Sequence, residues 1–186
     1  MDTKAVAITA VFAALTVVLT RFFVPAPYFP LLFYEIWEIP IVAVFFFISP
    51  KYGFLTLLIN TAVAFIFFPA FSTPGLNPLY SLVACSSMMS GMFIACKLFK
   101  SNWKKNNQPA PETKMILSST VFGIILRVLV MTAFVYVTFV WVLGTPASAI
   151  LASLPFIAIF NVTLPLYTIP VGYLIAKTIN KTLRTS

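Results

Sequence analysis

Carboxylates are scarce in this sequence, and two of them stand where a binding site could form. The 186 residues contain four acidic side chains in total, of which Glu35 and Glu38 lie three apart, directly before an uncharged apolar run. Residues three apart share one face of a helix. At the mouth of a membrane span these acids could gate or bind a solute, or they could simply lie in the headgroup layer. We favour a functional role for Glu38, because it begins the helix itself.

Arg127 and three amides are the other polar residues with chemical potential in or near apolar segments. By helix rise, Arg127 falls about 18 Å into its helix, at a depth where a charge normally faces the bundle interior or a cavity. It could form or support a polar site, or bond structurally to free carbonyls. Asn60, Asn77 and Asn161 could join helices or bind a neutral polar ligand. Asn161 is the strongest candidate, because Pro165 frees backbone carbonyls near it.

Motifs for enzymatic chemistry are not found in the sequence. It contains no histidine, which removes imidazole acid–base chemistry and ordinary zinc sites. No nucleophile–base arrangement, metal-ligand cluster or Gly-rich phosphate loop occurs. A small membrane enzyme would have to use Glu38 and Arg127 as its acid–base pair, and we expect these at different depths. The sequence therefore predicts a protein that is not an enzyme and has no metal or cofactor of its own.

The composition identifies the class of protein. Hydrophobic residues make up 61% of the chain and charged residues 9%, far from the balance of soluble domains. The net charge of +8 does not indicate nucleic acid, because the lysines cluster in one loop and the tail instead of alternating with aromatic residues. We predict a polytopic protein embedded in the lipid bilayer.

Apolar runs approaching the roughly 20 residues that cross a bilayer predict an all-α bundle of six transmembrane helices in a single membrane domain. A proline-rich segment, 24–34, is expected to form an irregular loop, and residues 100–114 a cytoplasmic loop. The second helix is too short to span alone, so either its ends are buried in protein or the bilayer thins locally. The predicted helices cover residues 5–23, 37–49, 54–68, 79–99, 115–143 and 154–180.

The distribution of lysines predicts the orientation. With six spans, Lys4, Lys51, the lysines of the 100–114 loop and the basic tail fall on one side, and Arg21 falls on the other. Cytoplasmic loops carry the excess of Lys and Arg. Both termini are therefore expected in the cytoplasm, at the plasma membrane, with both glutamates facing outward. Ala10 and Ala14 form a small-xxx-small pair on the first helix, a spacing that lets another helix approach closely.

Several short stretches carry a resemblance to a known family. They are Glu38-Ile39-Pro40, the Pro-x-x-Gly turn at 50–53, Asn60 midway along the third helix, Asn77-Pro78-Leu79, and Leu154-Pro155-Phe156 followed by Asn161. Together with the six-helix layout, they resemble the substrate-binding S components of energy-coupling factor (ECF) vitamin transporters, and most closely the riboflavin type.

The resemblance implies a vitamin pocket in the outer half of the bundle, formed by Glu38, Asn60, Asn77, Arg127 and Asn161. It implies that the first outer loop acts as a lid, with Tyr28, Tyr34, Glu35 and Trp37 as gate residues. It further implies that Ala10 and Ala14 dock onto a transmembrane T component, and that two ATPase subunits hydrolyse ATP on the chain's behalf.

Two alternatives remain open at the level of sequence. The same ingredients would suit a vitamin other than riboflavin, because apolar pockets with a few fixed polar groups are the general rule for small ligands. A structural membrane protein of the MreD cell-shape type would also be a small apolar bundle, binding partner proteins instead of a vitamin. A specific, saturable small-molecule ligand discriminates between them.

Overall fold

The computed structural model describes residues 3–67, 76–105 and 112–185, which form a bundle of helices closed at one end by a β-hairpin. The helices are α1 (Thr3–Leu19), α2 (Glu38–Phe47), α3 (Pro50–Phe67), α4 (Leu76–Lys105), α5 (Glu112–Val137) and α6 (Ala147–Thr185); a π-helical segment, Thr138–Val142, extends α5.

The helices lie close to the expected positions, with shifted ends. The first helix ends at Leu19 instead of residue 23, and the sixth begins at Ala147 instead of residue 154. Within the expected 100–114 loop, α4 continues to Lys105 and α5 begins at Glu112; residues 106–111 lie outside the described part of the chain. Helix α6 contains three prolines, Pro155, Pro165 and Pro170.

Helix α2 lies in the centre of the bundle. Its residues Ile41, Val42, Ala43 and Val44 are completely buried, and it packs against α6, α3 and α1. An apolar helix that is buried on every face belongs to a protein interior. Of the two possibilities for this short helix, enclosure by protein is the one that its burial supports.

Four of the described helices are long and apolar enough to cross a membrane, namely 50–67, 77–99, 112–142 and 147–182. Helix α1 has 17 residues and α2 has 10, and both are apolar but shorter than a standard span. The protein is therefore a membrane-embedded helical bundle. The six-span count remains a prediction.

The segment expected to be an irregular loop is an antiparallel β-hairpin, which corrects the expectation. Strand β1 (Phe23–Ala26) pairs with β2 (Phe29–Glu35), so that Phe23 lies opposite Glu35 and Val24 opposite Tyr34. Proline is tolerated on an edge strand, where its missing N–H leaves no ladder bond unmade. In a two-stranded ribbon each strand has a free edge, which explains why Pro25 is tolerated in β1. The strand register shifts directly after Pro25.

Two close helix crossings depend on glycine. A Cβ atom at Gly91 would lie 2.3 Å from the carbonyl oxygen of Phe122 on α5, and one at Gly172 would lie 2.6 Å from Val42 Cγ1 on α2. Small residues let helix backbones approach closely in membranes. These two glycines therefore fix the separation of α4 from α5 and of α2 from α6, and with it the position of the polar residues between them.

Candidate functional site

An ion pair between α2 and α5 lies at the centre of the bundle. Arg127 donates from Nη1 to Oε2 of Glu38 at 2.7 Å and from Nη2 to Oε1 at 2.8 Å. Both side chains are buried, with 3% and 4% exposure. Paired donation of this kind fixes the planes of both groups and is among the strongest protein hydrogen-bond arrangements. The expectation that these two residues lie at different depths was wrong.

Two further side chains complete the arginine's surroundings. Its Nε donates to Oδ1 of Asn161 on α6 at 3.1 Å, and its Nη1 also contacts the sulfur of Met88 on α4 at 3.6 Å. The Asn161 amide nitrogen donates to the carbonyl oxygen of Ile157 at 2.8 Å, which fixes the orientation of the amide. We call Glu38, Met88, Arg127 and Asn161 the central cluster. It joins four helices through one guanidinium group.

The central cluster is expensive to bury, and its geometry offsets that cost. Removing two ions from water costs several kcal/mol per ion, which their attraction repays only when geometry is good and the remaining donors are bonded. Here both carboxylate oxygens and three guanidinium nitrogens have partners. The cluster could therefore be a structural joint, or a preorganised polar site that a ligand or a moving helix engages. As a mutually neutralised pair, it does not form an acid–base couple.

Glu35 connects the hairpin to the start of α2. Its carboxylate accepts a hydrogen bond from the indole Nε1 of Trp37, and its backbone carbonyl accepts one from the Tyr167 hydroxyl of α6 at 2.7 Å. Burial, reinforced by the nearby charge of Glu38, raises the pKa of Glu35 from 4.5 to about 7, although Trp37 and Arg127 act in the opposite direction. Glu35 thus lies at the end of β2, three residues before Glu38 of the central cluster.

A directed chain of hydroxyl groups holds the hairpin to α6. Thr163 donates to the carbonyl oxygen of Phe160 at 2.9 Å, so its oxygen accepts from the Tyr34 hydroxyl, also at 2.9 Å. Tyr34 in turn accepts from Tyr28 at 2.6 Å. Burial and this bond to Tyr34 raise the pKa of Tyr28 to about 12, so the donor keeps its proton at every physiological pH.

Aromatic packing reinforces the same contact. The Tyr28 and Phe29 rings stack on Phe156 with centroids 6.4 and 5.9 Å apart, and Tyr34 packs on Phe160 at 5.2 Å. Aromatic pairs in this range contribute about 0.5–1.5 kcal/mol beyond area burial. We call the contacts of Tyr28, Phe29, Tyr34 and Glu35 with α6 the hairpin latch. In this structure the contacts of the hairpin latch are formed, so the hairpin packs against α6.

Two predicted site residues lie elsewhere. Asn60 is buried in α3, at 3% exposure, whereas Asn77 is exposed in the first turn of α4. Among the described residues, no hydrogen bond joins either of them to the central cluster. Ala10 and Ala14 are exposed on α1, whose buried residues Ala5, Thr9, Ala13 and Thr16 face the bundle. The predicted docking pair therefore faces away from the bundle, accessible to a partner helix.

Sequence reasoning missed the α6 half of the latch. Phe156, Phe160, Thr163 and Tyr167 follow one another at intervals of four, three and four residues, which places them on one face of a helix. Each of them contacts the hairpin or its root. The periodicity was visible in the sequence, but the partner of that face was not, because the hairpin precedes Phe156 by more than 120 residues.

Comparison with known proteins finds a solved structure that shares the fold of this chain. No protein-family model matches the chain, and no curated protein matches it at a significant level. A solved structure of the S component of a bacterial ECF transporter superposes with a TM-score of 0.75, covering 98% of this chain and 99% of that chain at 17% sequence identity. The chain therefore has, over nearly its whole length, the fold of that S component.

Proposed function

We propose that this protein is the substrate-binding S component of an ECF-type transporter, and that it captures a vitamin, most specifically riboflavin, from outside the cell. The observation that carries the proposal is a fold shared end to end with an S component. The closed hairpin above a buried polar cluster supports it, since capture from water needs both a removable cover and fixed polar groups beneath it.

The chemistry of the site suits a flat aromatic ligand that carries hydrogen-bonding groups. Glu38 and Asn161 offer acceptor oxygens, while Arg127 offers donors. The rings of Phe156 and Phe160 now pack against the hairpin tyrosines, and they would offer stacking surfaces when the hairpin moves. In this proposal a ligand enters after the latch opens and is then covered by the hairpin.

Uptake would depend on partner subunits. The sequence carries no Walker motif, so the energy for transport would come from two ATPases through a transmembrane T component. Ala10 and Ala14, exposed on α1, would form the docking surface for that component. The proposal places both termini in the cytoplasm and the hairpin at the outer face of the plasma membrane, as the lysine distribution indicates.

Flavin binding tests the proposal directly. The full chain, purified in mild detergent, is mixed with riboflavin, desalted, and measured by absorption and fluorescence. We expect about one equivalent of retained flavin with quenched fluorescence, because the bound ring would stack on aromatic side chains. A colourless protein would exclude riboflavin, and a panel of other vitamins would follow. Failure of the whole panel would contradict the S-component proposal and favour a structural, MreD-like role.

A further inference from the structure

At its end of the bundle, the hairpin lies along the flank of α6 and not over the end of that helix. Its ring contacts with α6 begin at Phe156, nine residues after the helix starts, which is about 14 Å by helix rise. Tyr34 packs on Phe160, the residue directly before Asn161 of the central cluster. The segment 147–182 of α6 is long and apolar enough to cross a membrane. The hairpin therefore lies beside a helix that can cross the membrane, at the depth of that helix's interior residues.

The face of the hairpin that is turned away from α6 is aromatic. Successive side chains of a strand point to opposite faces, so Phe33 is turned away from the helix that Tyr34 contacts. Phe33 packs edge to face on Phe23 of the other strand, with ring centroids 5.3 Å apart, and the two residues are 41% and 54% exposed. An antiparallel sheet with one face in water commonly presents polar side chains on that face. The exposed rings of this hairpin do not fit that pattern.

The polar side chains of the hairpin have partners within the protein. The hairpin sequence contains three of them, Tyr28, Tyr34 and Glu35. The Tyr28 hydroxyl bonds to that of Tyr34, and the Tyr34 hydroxyl bonds to Thr163 of α6. The Glu35 carboxylate accepts a hydrogen bond from the indole of Trp37. All three therefore have hydrogen-bond partners other than water.

The backbone of the hairpin also suits a lipid environment. A two-stranded ribbon leaves N–H groups on its free edges, and lipid cannot accept their hydrogen bonds. Pro25, Pro27 and Pro30 all lie in this segment, and proline has no N–H. The three prolines therefore remove donors that water would otherwise have to satisfy.

The hairpin follows directly after an exposed apolar face of α1. Val11, Leu15 and Val18 recur at intervals of four and three residues, which places them on one face of that helix, and all three are exposed. Residues 20–22 connect α1 to β1. In a membrane-embedded bundle an exposed apolar helix face contacts lipid, so the chain enters the hairpin from a lipid-facing surface.

We propose that the exposed aromatic face of the hairpin, formed by Phe23 and Phe33, packs against the acyl chains of the bilayer. The hairpin is then a cover on the flank of the bundle, and its opening displaces lipid instead of water. Water and a second copy of this chain are the other candidate occupants of the face. The inference depends on the membrane-embedded fold and is independent of which ligand the protein binds.

Spin-label accessibility in the full chain tests the proposal. Phe33→Cys and, separately, Phe23→Cys are made in a Cys96→Ala background and labelled, while Cys85, which is buried, stays in place. The labelled proteins are placed in liposomes at low density. Collisions of the label with oxygen, which concentrates in lipid, are compared with collisions with a water-soluble nickel chelate.

Two control positions calibrate the measurement. Leu129→Cys, on the exposed surface of α5, reports lipid, and Asn180→Cys, exposed near the basic end of α6, reports water. We expect both hairpin labels to show a ratio of oxygen to chelate collisions close to that of the α5 label and severalfold above that of the α6 label. A ratio equal to that of the α6 label would place the face in water and overturn the proposal. Low access of both reagents, together with spin–spin broadening, would identify a second copy and would also overturn it.

Photocrosslinking examines the unmodified protein, in which both rings are intact. Phosphatidylcholine with a diazirine in the middle of one acyl chain is included in the liposomes, and lipid adducts are mapped by mass spectrometry of peptides. We expect adducts within residues 23–35 as well as on the exposed surface of α5. Adducts on α5 without any on the hairpin would contradict the proposal, even if the cysteine variants failed to fold.

Discussion

Glu38 and Arg127, 89 residues apart in the sequence, meet face to face in the buried centre of the bundle through two hydrogen bonds of 2.7 and 2.8 Å. The pair joins α2, the enclosed helix, to α5. Through Asn161 it also reaches α6, the helix on which the hairpin is latched. The polar centre and the hairpin that would cover the proposed binding site are therefore attached to the same helix.

Substitutions can distinguish a structural role of the Glu38–Arg127 pair from a role in ligand binding. Arg127→Met alone should destabilise the protein by about 3–5 kcal/mol, because it leaves a buried carboxylate uncompensated. The double variant Glu38→Leu with Arg127→Met should recover most of that stability, since the unpaired charge is gone. Thermal unfolding in detergent measures both changes in stability, and flavin titration of the double variant measures ligand binding. If the double variant is stable and binds riboflavin normally, the pair is structural and not part of the site.

Asn161→Ala should weaken ligand binding while leaving the fold intact. In the proposed site the substitution removes an amide that would hydrogen-bond the ligand, a contact that contributes about 1.5 kcal/mol, and it also removes the acceptor that orients Arg127 Nε. We expect at least a tenfold rise in Kd, measured by fluorescence quenching. Asn77→Ala is the matched control, because that amide is exposed and lies outside the central cluster. Unchanged affinity in Asn161→Ala would remove this residue from the proposed site.

Glu35 should make stability depend on pH in a specific direction. Its pKa rises from 4.5 to about 7 on folding, so between these values the folded protein holds a proton that the unfolded chain releases. Stability from this residue is therefore fully present below pH 4.5 and is lost as the pH rises to about 7. Glu35→Gln should show a flatter dependence of Tm on pH in this window and a higher Tm than the unmodified protein at pH 8. Parallel curves for the two proteins would contradict a protonated Glu35.

Tyr167→Phe should loosen the hairpin latch without disturbing the central cluster. It removes the hydrogen bond to the Glu35 carbonyl, a contact that contributes about 1 kcal/mol, while keeping the ring. We expect about fivefold faster ligand dissociation in stopped-flow measurements. Tyr52→Phe, in the first turn of α3 and far from the hairpin, should dissociate ligand at the normal rate. Equal rates for Tyr167→Phe and the unmodified protein would show that this bond does not control opening.

A large side chain at Ala10 or Ala14 should separate binding from transport. Both residues are exposed on α1 and make no part of the polar site, so Ala10→Trp should bind riboflavin normally. Uptake by cells that contain the energising subunits should be abolished, because the side chain would hold a partner helix away from α1. Leu129→Trp, also on the exposed surface but on α5, is the control and should transport. Normal uptake by Ala10→Trp would exclude this docking surface.

The sequence by itself determined the class of protein and most of the helix positions. A chain with 61% hydrophobic and 9% charged residues has more apolar surface than the core of a water-soluble domain can bury. Its long apolar runs must satisfy their backbone hydrogen bonds as helices in lipid. The cost of placing polar and charged groups in lipid also made Glu38, Arg127 and Asn161 recognisable as candidates. These properties follow from composition and from the order of residues within short segments, so they can be predicted without knowing which helices pack together.

Only the tertiary structure decided which candidates act together. Asn60, Asn77 and Asn161 were all candidate amides, with Asn161 favoured for its neighbour Pro165, and of the three the fold brings Asn161 to Arg127. The prolines of segment 24–34 indicated an irregular loop, but strands β1 and β2 pair to form a hairpin there. Helix α6 supplies the face against which this hairpin packs. Partnership between Glu38 and Arg127 depends on how α2 is enclosed by its neighbours. The physical reason is that long-range contacts are selected by packing of whole helix faces, which no local stretch of sequence encodes.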